Sequence, residues 1–177
     1  GLLSYLTKDV TKKIINNPEV ARKGWEVVLG LDSERSKDVE WELTVKNQQD
    51  EYIEMCGLIN NRTSKESIPT LFLYPKNLWN KRVVIWLTGS GKSGLYKKGI
   101  NSFELKNEVL HLLSKGTAVC GIDLFMQGEF LKDGKSVEVT RTVANRREAA
   151  AYTHGYNYSL FVNRVRDVLT TIKMIES

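Results

Sequence analysis

From Val39 the chain alternates apolar and polar residues without a break. Val39, Trp41, Leu43 and Val45 fall on one side, and Glu40, Glu42, Thr44 and Lys46 on the other. A period of two predicts a half-buried β-strand. Asn47-Gln48-Gln49-Asp50 follows as a turn, and Tyr52 to Ile59 reads as the antiparallel partner. Asn60 to Ser67 predicts a polar loop. Ile68 to Tyr74 predicts a third strand, closed by Pro75, which lacks the N–H that a ladder needs. The pattern then changes. Val83-Val84-Ile85-Trp86-Leu87 is almost continuously apolar, as a central strand covered on both faces should be. Leu105, Val109, Leu112 and Leu113 share one face of a helix over 101–115, with Gly116 at its C-cap. Thr117 to Ile122 predicts a second buried strand, ending at Asp123. Residues 145–153 read as helical. Phe161, Val165, Val168, Leu169, Ile172 and Ile175 form an apolar stripe on a helix over 158–176, with Arg164, Arg166 and Lys173 elsewhere. Residues 1–30 are mixed, with short helices expected over 8–16 and 18–24.

Antiparallel strands followed by strand–helix–strand–helix predict an α/β fold, a mixed sheet with helices on its faces. The chain has no internal repeat and no low-complexity stretch. An apolar helix such as 158–176 ordinarily returns to another parallel strand, so the pattern reads as the first half of a larger α/β unit. A complete small domain that uses this helix as its own cover is the alternative. On the first reading the strand at 117–122 lacks its next parallel neighbour and exposes an edge. Phe161, Val165 and Ile172 are then incompletely covered.

Composition narrows the classes. The 177 residues suit one ordinary domain, and 41% hydrophobic content supports a true core. The net charge of +5 is spread along the chain with no block of like charges, which argues against a nucleic-acid surface. No apolar run is long enough to span a membrane. Cys56 and Cys120, the only cysteines, sit in apolar strand-like segments and read as two inert buried thiols. The opening Gly-Leu-Leu-Ser-Tyr-Leu-Thr-Lys-Asp-Val is too short and too mixed for a signal peptide. Its first residue is Gly rather than Met, which leaves room for a segment upstream. Asn61-Arg62-Thr63 and Asn157-Tyr158-Ser159 match the glycosylation pattern, a common match that assigns no compartment.

The candidate chemistry lies in two loops that follow apolar strands, where ligands sit in open α/β sheets. The first, Thr88-Gly89-Ser90-Gly91-Lys92-Ser93-Gly94, looks like a phosphate cradle. The phosphate-binding loop is G-x-x-x-x-G-K-[ST], and its first Gly falls on Trp86. An indole there blocks the backbone wrap, so an ATP or GTP site is disfavoured; anion binding through loop N–H groups remains as an alternative. Ser90 has glycine neighbours, but a serine elbow G-x-S-x-G needs glycine where Thr88 and Lys92 stand. The second loop reads Asp123-Leu124-Phe125-Met126-Gln127-Gly128-Glu129-Phe130. Asp123 is either a magnesium ligand or, more commonly for an Asp at a strand end, a carboxylate that fixes the loop through N–H bonds or an Arg. Glu129 is an acid or another loop-holding carboxylate. His111 reads as a partly buried, hydrogen-bonded side chain and His154 as a helix-end cation. No H-x-x-x-H, H-x-E or C-x-x-C is present, so no metal site is expected.

Three runs carry a family resemblance: RVVIWLTGSGKSGLY, LLSKGTAVCGIDLFMQGEF and YTHGYNYSLFVNRVRDVLTTIKMI. Together, over about 36–176, they resemble the amino-terminal half of the α/β-hydrolase domain of acetyl xylan esterase-like proteins, relatives of the cephalosporin C deacetylase and dienelactone hydrolase groups. The resemblance implies a segment 1–35, helical or extended, ahead of a partial α/β-hydrolase domain over 36–177. It implies serine carboxylic-ester hydrolysis on acyl or acetyl esters, with a carbohydrate among the candidate substrates and no cofactor. In this family the loop after the first parallel strand commonly begins with His and lends a backbone N–H to the oxyanion hole. Here Thr88 stands at the His position, and Gly89 or Ser90 supplies the candidate N–H. Asp123, Gln127 and Gly128, together with Thr88 and Glu129, border the pocket or organise its loops. The nucleophile, acid and histidine of the triad have no counterpart among these residues. The implied partners are a small ester substrate of the intact protein and a second chain, either another copy or one carrying the remaining strands. A non-catalytic carbohydrate- or protein-binding module and a phosphate-binding domain using Gly89 to Ser93 are the other function classes.

Overall fold

A computed structural model describes residues 2–30, 38–97, 103–132, 145 and 158–177. Of the expected helix over 145–153 only residue 145 is described, and His154 and Asn157 lie outside the described residues. The core is a five-stranded mixed sheet flanked by helices, a generic α/β architecture. Its strands are β1 (Val39–Gln48), β2 (Tyr52–Asn61), β3 (Glu66–Pro75), β4 (Val83–Trp86) and β5 (Ala118–Ile122), in the spatial order β1-β2-β3-β5-β4. The first three form an antiparallel meander. β5 pairs antiparallel with β3 and parallel with β4. The helices are α1 (Leu2–Asn16), α2 (Pro18–Leu29), α3 (Asn107–Ser114) and α4 (Leu160–Glu176).

Alternation along the strands sorts the core into two faces. Leu71, Leu73 and Val119 point to one side, where Leu95, Leu105, Val109 and Leu113 of the β4–β5 crossover cover them. Ile59, Ile68, Cys120 and Ile122 point to the other, where Val168, Met174 and Ile175 of α4 pack. Between α3 and β5, Gly116 turns the chain in a left-handed conformation with φ 76°, and its C=O accepts the Asn80 N–H at 2.9 Å.

The structure corrects several expectations, each for a local reason. In β1 the register slips between Leu43 and Val45, a β-bulge, so the four apolar residues do not share one face beyond Leu43. Val45 is accordingly exposed, and Leu43 before the bulge is exposed as well. The strand 117–122 exposes no edge, because β5 is paired on both sides. β4, which was expected to be central, is an edge strand, as β1 is at the other end of the sheet; among the described residues it pairs only with β5, and all four of its residues are only half-buried. The helix expected over 101–115 is confined to Asn107–Ser114, and Leu105 instead bridges Tyr96. His111 is exposed on it. Of the two thiols, Cys120 is buried and Cys56 half-buried.

The largest difference is on α4. Its buried face carries Val162, Arg166, Asp167, Thr170 and Thr171, which the apolar stripe did not predict. Phe161, Leu169 and Ile172 are exposed and Val165 is half-buried, the incomplete cover expected of Phe161, Val165 and Ile172 on the half-unit reading. The polar residues are buried because each major one finds a partner. Arg166 donates to the C=O groups of Leu29 at 2.8 Å and Gly30 at 3.1 Å, bringing a cation to the C-terminus of α2. Its guanidinium also lies 3.4 Å from the Tyr158 ring centroid. Asp167 accepts the Phe125 N–H at 2.7 Å, and Thr171 donates to the Asp167 C=O at 2.8 Å.

Candidate functional site

The loops that follow β4 and β5 leave the sheet side by side, because those strands are adjacent and parallel. Each loop is folded by its own short-range bonds. In the first, Thr88 does the local work: its hydroxyl donates to the Gly91 C=O at 2.9 Å and accepts the Ser90 N–H at 3.2 Å. This is the side-chain-to-backbone turn that threonine favours. The Gly91 N–H donates to the Thr88 C=O at 3.2 Å, and the Ser93 hydroxyl donates to the Ser90 C=O at 2.7 Å. A one-turn 3₁₀ helix, Gly91–Leu95, then leads into Tyr96.

The two loops are joined through Asp123. Its carboxylate accepts the Lys92 N–H at 2.8 Å, the Glu129 N–H at 3.0 Å and the Lys92 ammonium at 2.5 Å. The same ammonium lies 2.6 Å from Glu129. The Asp123 side chain is only 2% exposed and that of Lys92 16%. Two glycines make room for it. A Cβ on Gly91 would stand 2.1 Å from Asp123 Oδ1, and one on Gly128 would stand 2.2 Å from Asp123 Cγ. Both are left-handed, with φ of +63° and +49°. Gly91 and Gly128 are therefore set by the carboxylate they enclose as well as by the turn. Asp123 is a loop-organising group in this arrangement, and Glu129 completes its ion pair.

Between the loops and Glu54, Cys56 and Leu71 of β2 and β3 lies a concave cavity of about 1280 Å³. Gly89, Ser90, Asp123, Gln127, Gly128 and Glu129 all line it; Thr88 lies behind the turn and does not. Across from them stand Glu54 and Tyr96, joined by a hydrogen bond of 3.0 Å from the phenol to the carboxylate. Burial, and then the charge of Glu54, push the Tyr96 phenol well above its ordinary range. Burial and the same carboxylate also raise the Cys56 thiol in the cavity wall, so it stays protonated and is a poor nucleophile. Among the described residues no group of three His, Cys, Asp or Glu is placed to hold a metal ion, and no helix is long and apolar enough to cross a membrane.

Of the two candidate oxyanion donors, the Ser90 N–H is used within its turn by Thr88. Gly89 is exposed at the cavity, with open space where a Cβ would stand. Sequence reasoning did not single out Lys92 as a partner of Asp123, nor the Glu54–Tyr96 pair. The Lys92–Asp123 contact spans 31 residues and Tyr96–Glu54 spans 42. No local spacing signals either.

Compared with protein-family models, with curated proteins and with solved structures, the chain matches none.

Proposed function

We propose that residues 36–177 form the oxyanion side of an ester-hydrolase pocket of the α/β-hydrolase type. The observation that carries the reading is the convergence of the post-β4 and post-β5 loops on one cavity, with Gly89 at its wall and no hydrogen bond from its N–H among the described residues. Antiparallel strands followed by a parallel β–α–β crossover support the fold-level half of the proposal. In this reading the Gly89 N–H donates to the carbonyl oxygen as it gains negative charge, the role of a preorganised oxyanion donor. The serine, histidine and acid come from strands that pair onto the unpaired edge of β4, which lies beside this same loop.

The phosphate-binding alternative is weakened by the ion pair. A phosphate cradle needs its lysine and its loop N–H groups free for the anion. Here the Lys92 ammonium and its N–H are both committed to Asp123, with Glu129 adding a second carboxylate. The cradle is filled by a carboxylate belonging to the protein itself.

The test has two arms. The 177-residue chain alone is expected to give background hydrolysis of p-nitrophenyl acetate and no serine labelled by a fluorophosphonate. Joined by a chain that carries the remaining strands, the pocket is expected to hold a serine that labels, and Gly89→Pro is expected to lower kcat about 10²–10³-fold, while Gly89→Ala does not. Stoichiometric labelling of a serine in the short chain, or equal rates for the Pro and Ala variants, would overturn the proposal.

A further inference from the structure

We infer that Gln127 is the ligand-recognition residue of this cavity and that it selects an uncharged ligand presenting a hydrogen-bond donor, an alcohol O–H or an amide N–H. Gln127 is 9% exposed and sits in the cavity wall. Its carboxamide nitrogen donates to the Gly89 C=O at 3.4 Å, at the limit of a hydrogen bond. Its oxygen is buried with no donor, alone among buried side-chain polar atoms of the described residues. Exchanging the two amide atoms is no remedy, because that would set the oxygen against the Gly89 carbonyl. A buried acceptor left unpaired is costly, and such atoms are rare in folded proteins.

The segment around Gln127 is also held in an unfavourable backbone conformation. Met126 before it has φ 62° and Gly128 after it φ 49°. Left-handed geometry is uncommon for a methionine. A side chain tied by one long bond, with its oxygen unsatisfied, has little to lose by turning into the cavity when a donor arrives. The donor supplies the missing bond, and the carboxamide nitrogen remains free for an acceptor beside it.

Charge defines the rest of the ligand. Lys92, Lys97 and Arg164 line the cavity against Glu54, Asp123 and Glu129, three cations facing three anions. Lys92 is already paired with two of those anions. The wall offers no surplus of either sign, so an anion or a cation gains nothing there beyond what it loses in desolvation. A ligand with only carbonyl or ether oxygens cannot satisfy the Gln127 acceptor either. What fits is a neutral molecule with a hydroxyl or amide donor on an apolar body. This specifies the substrate side of the pocket proposed above and rests on that reading for its biological meaning. Binding is read without turnover, so the two ideas fail separately.

The experiment is an NMR titration of the ¹⁵N-labelled chain with trans-cyclohexane-1,2-diol and with its dimethyl ether, which keeps the ring and oxygens and lacks the donors. The diol is expected to shift the Gln127 carboxamide resonances saturably and to bind about tenfold more tightly than the ether. In Gln127→Met, which keeps length and removes the acceptor, the ratio should fall to about one. Equal binding of the two in the wild type, no response of the Gln127 carboxamide, or an unchanged ratio in the variant would each overturn the inference. If the variant does not fold, the wild-type comparison decides alone.

Discussion

Replacing Asp123 by Asn tests whether one carboxylate holds both loops of the site. The carboxylate accepts three donors, the N–H groups of Lys92 and Glu129 and the Lys92 ammonium. Asparagine keeps the shape but has one acceptor oxygen; its NH₂ must face one of the two backbone donors. The variant therefore loses the ion pair and one charge-assisted backbone bond, and sets donor against donor. Removing one partner of a buried pair costs about 3–5 kcal/mol. Lys92 keeps Glu129, whose side chain is 66% exposed, so its charge is not stranded and the low end applies. The expected loss is about 3 kcal/mol, a large part of the roughly 5–15 kcal/mol that holds a domain together. Urea denaturation followed by tryptophan fluorescence should show the midpoint falling by about 1–2 M. Amide exchange should speed selectively at Lys92 and Glu129. A loss under about 1 kcal/mol, with both amides still protected, would refute the account of Asp123 as the joint between the loops.

Two further outcomes follow from other buried features. Burial raises the Asp167 carboxyl from 3.8 to about 6; the Glu66 charge adds to that rise, and the Phe125 N–H bond and Arg164 oppose it. A carboxyl whose folded pKa is raised holds its proton more tightly when folded, so stability is greatest below the unfolded value and falls as pH rises through that window. Asp167→Asn keeps an oxygen for Phe125 and removes the charge, so urea melts should coincide near pH 4 and favour the variant by about 1–2 kcal/mol near pH 7, after allowance for solvent screening. Identical pH profiles would exclude this. Gly116→Ala places a Cβ 1.8 Å from the Leu78 C=O in a left-handed residue, and should cost about 2–4 kcal/mol by thermal or urea unfolding; a neutral effect would show that the 78–80 segment yields freely.

The coarse fold was legible because the sheet is written in local periodicity. The alternation from Val39, the breaks at Gln49-Asp50 and Pro75, and the apolar runs at Val83 and Ala118 are signals within a few residues of each other, although Asn47 and Gln48, expected in the turn, still pair as strand. The bulge after Leu43 was not legible, since an extra residue in a strand leaves the alternation of the sequence intact while reversing its faces. Nor was the edge position of β4. A short apolar run such as Val83–Trp86 has the composition of a strand covered on both sides, whatever its neighbours turn out to be. In the site, the importance of the loop ends was visible from strand-end residues such as Asp123, but the identity of its partner was not. Lys92 read as a failed phosphate lysine, and only the fold brings it to a carboxylate just past the end of the neighbouring strand.

The face that α4 buries shows why periodicity misleads at such places. Six apolar residues predict a core stripe, yet Arg166 and Asp167 are inside while Phe161 and Leu169 are out. Burying a charged side chain is unfavourable unless each polar atom is matched, and here the matches are specific: two carbonyls at the end of α2 for the arginine, the Phe125 N–H for the carboxylate. These bonds fix the rotation of the helix and tie it to the very loop that carries Gln127, since Arg164 also donates to the Phe125 C=O at 3.0 Å. The helix thus holds Phe125 by both its N–H and its C=O. An apolar interface could slide by a turn with little loss, whereas these directional bonds admit one register. The polar face of α4 is accordingly a positioning surface for the second loop of the cavity, while Val168, Met174 and Ile175 pack on the sheet and Phe161, Leu169 and Ile172 are left exposed.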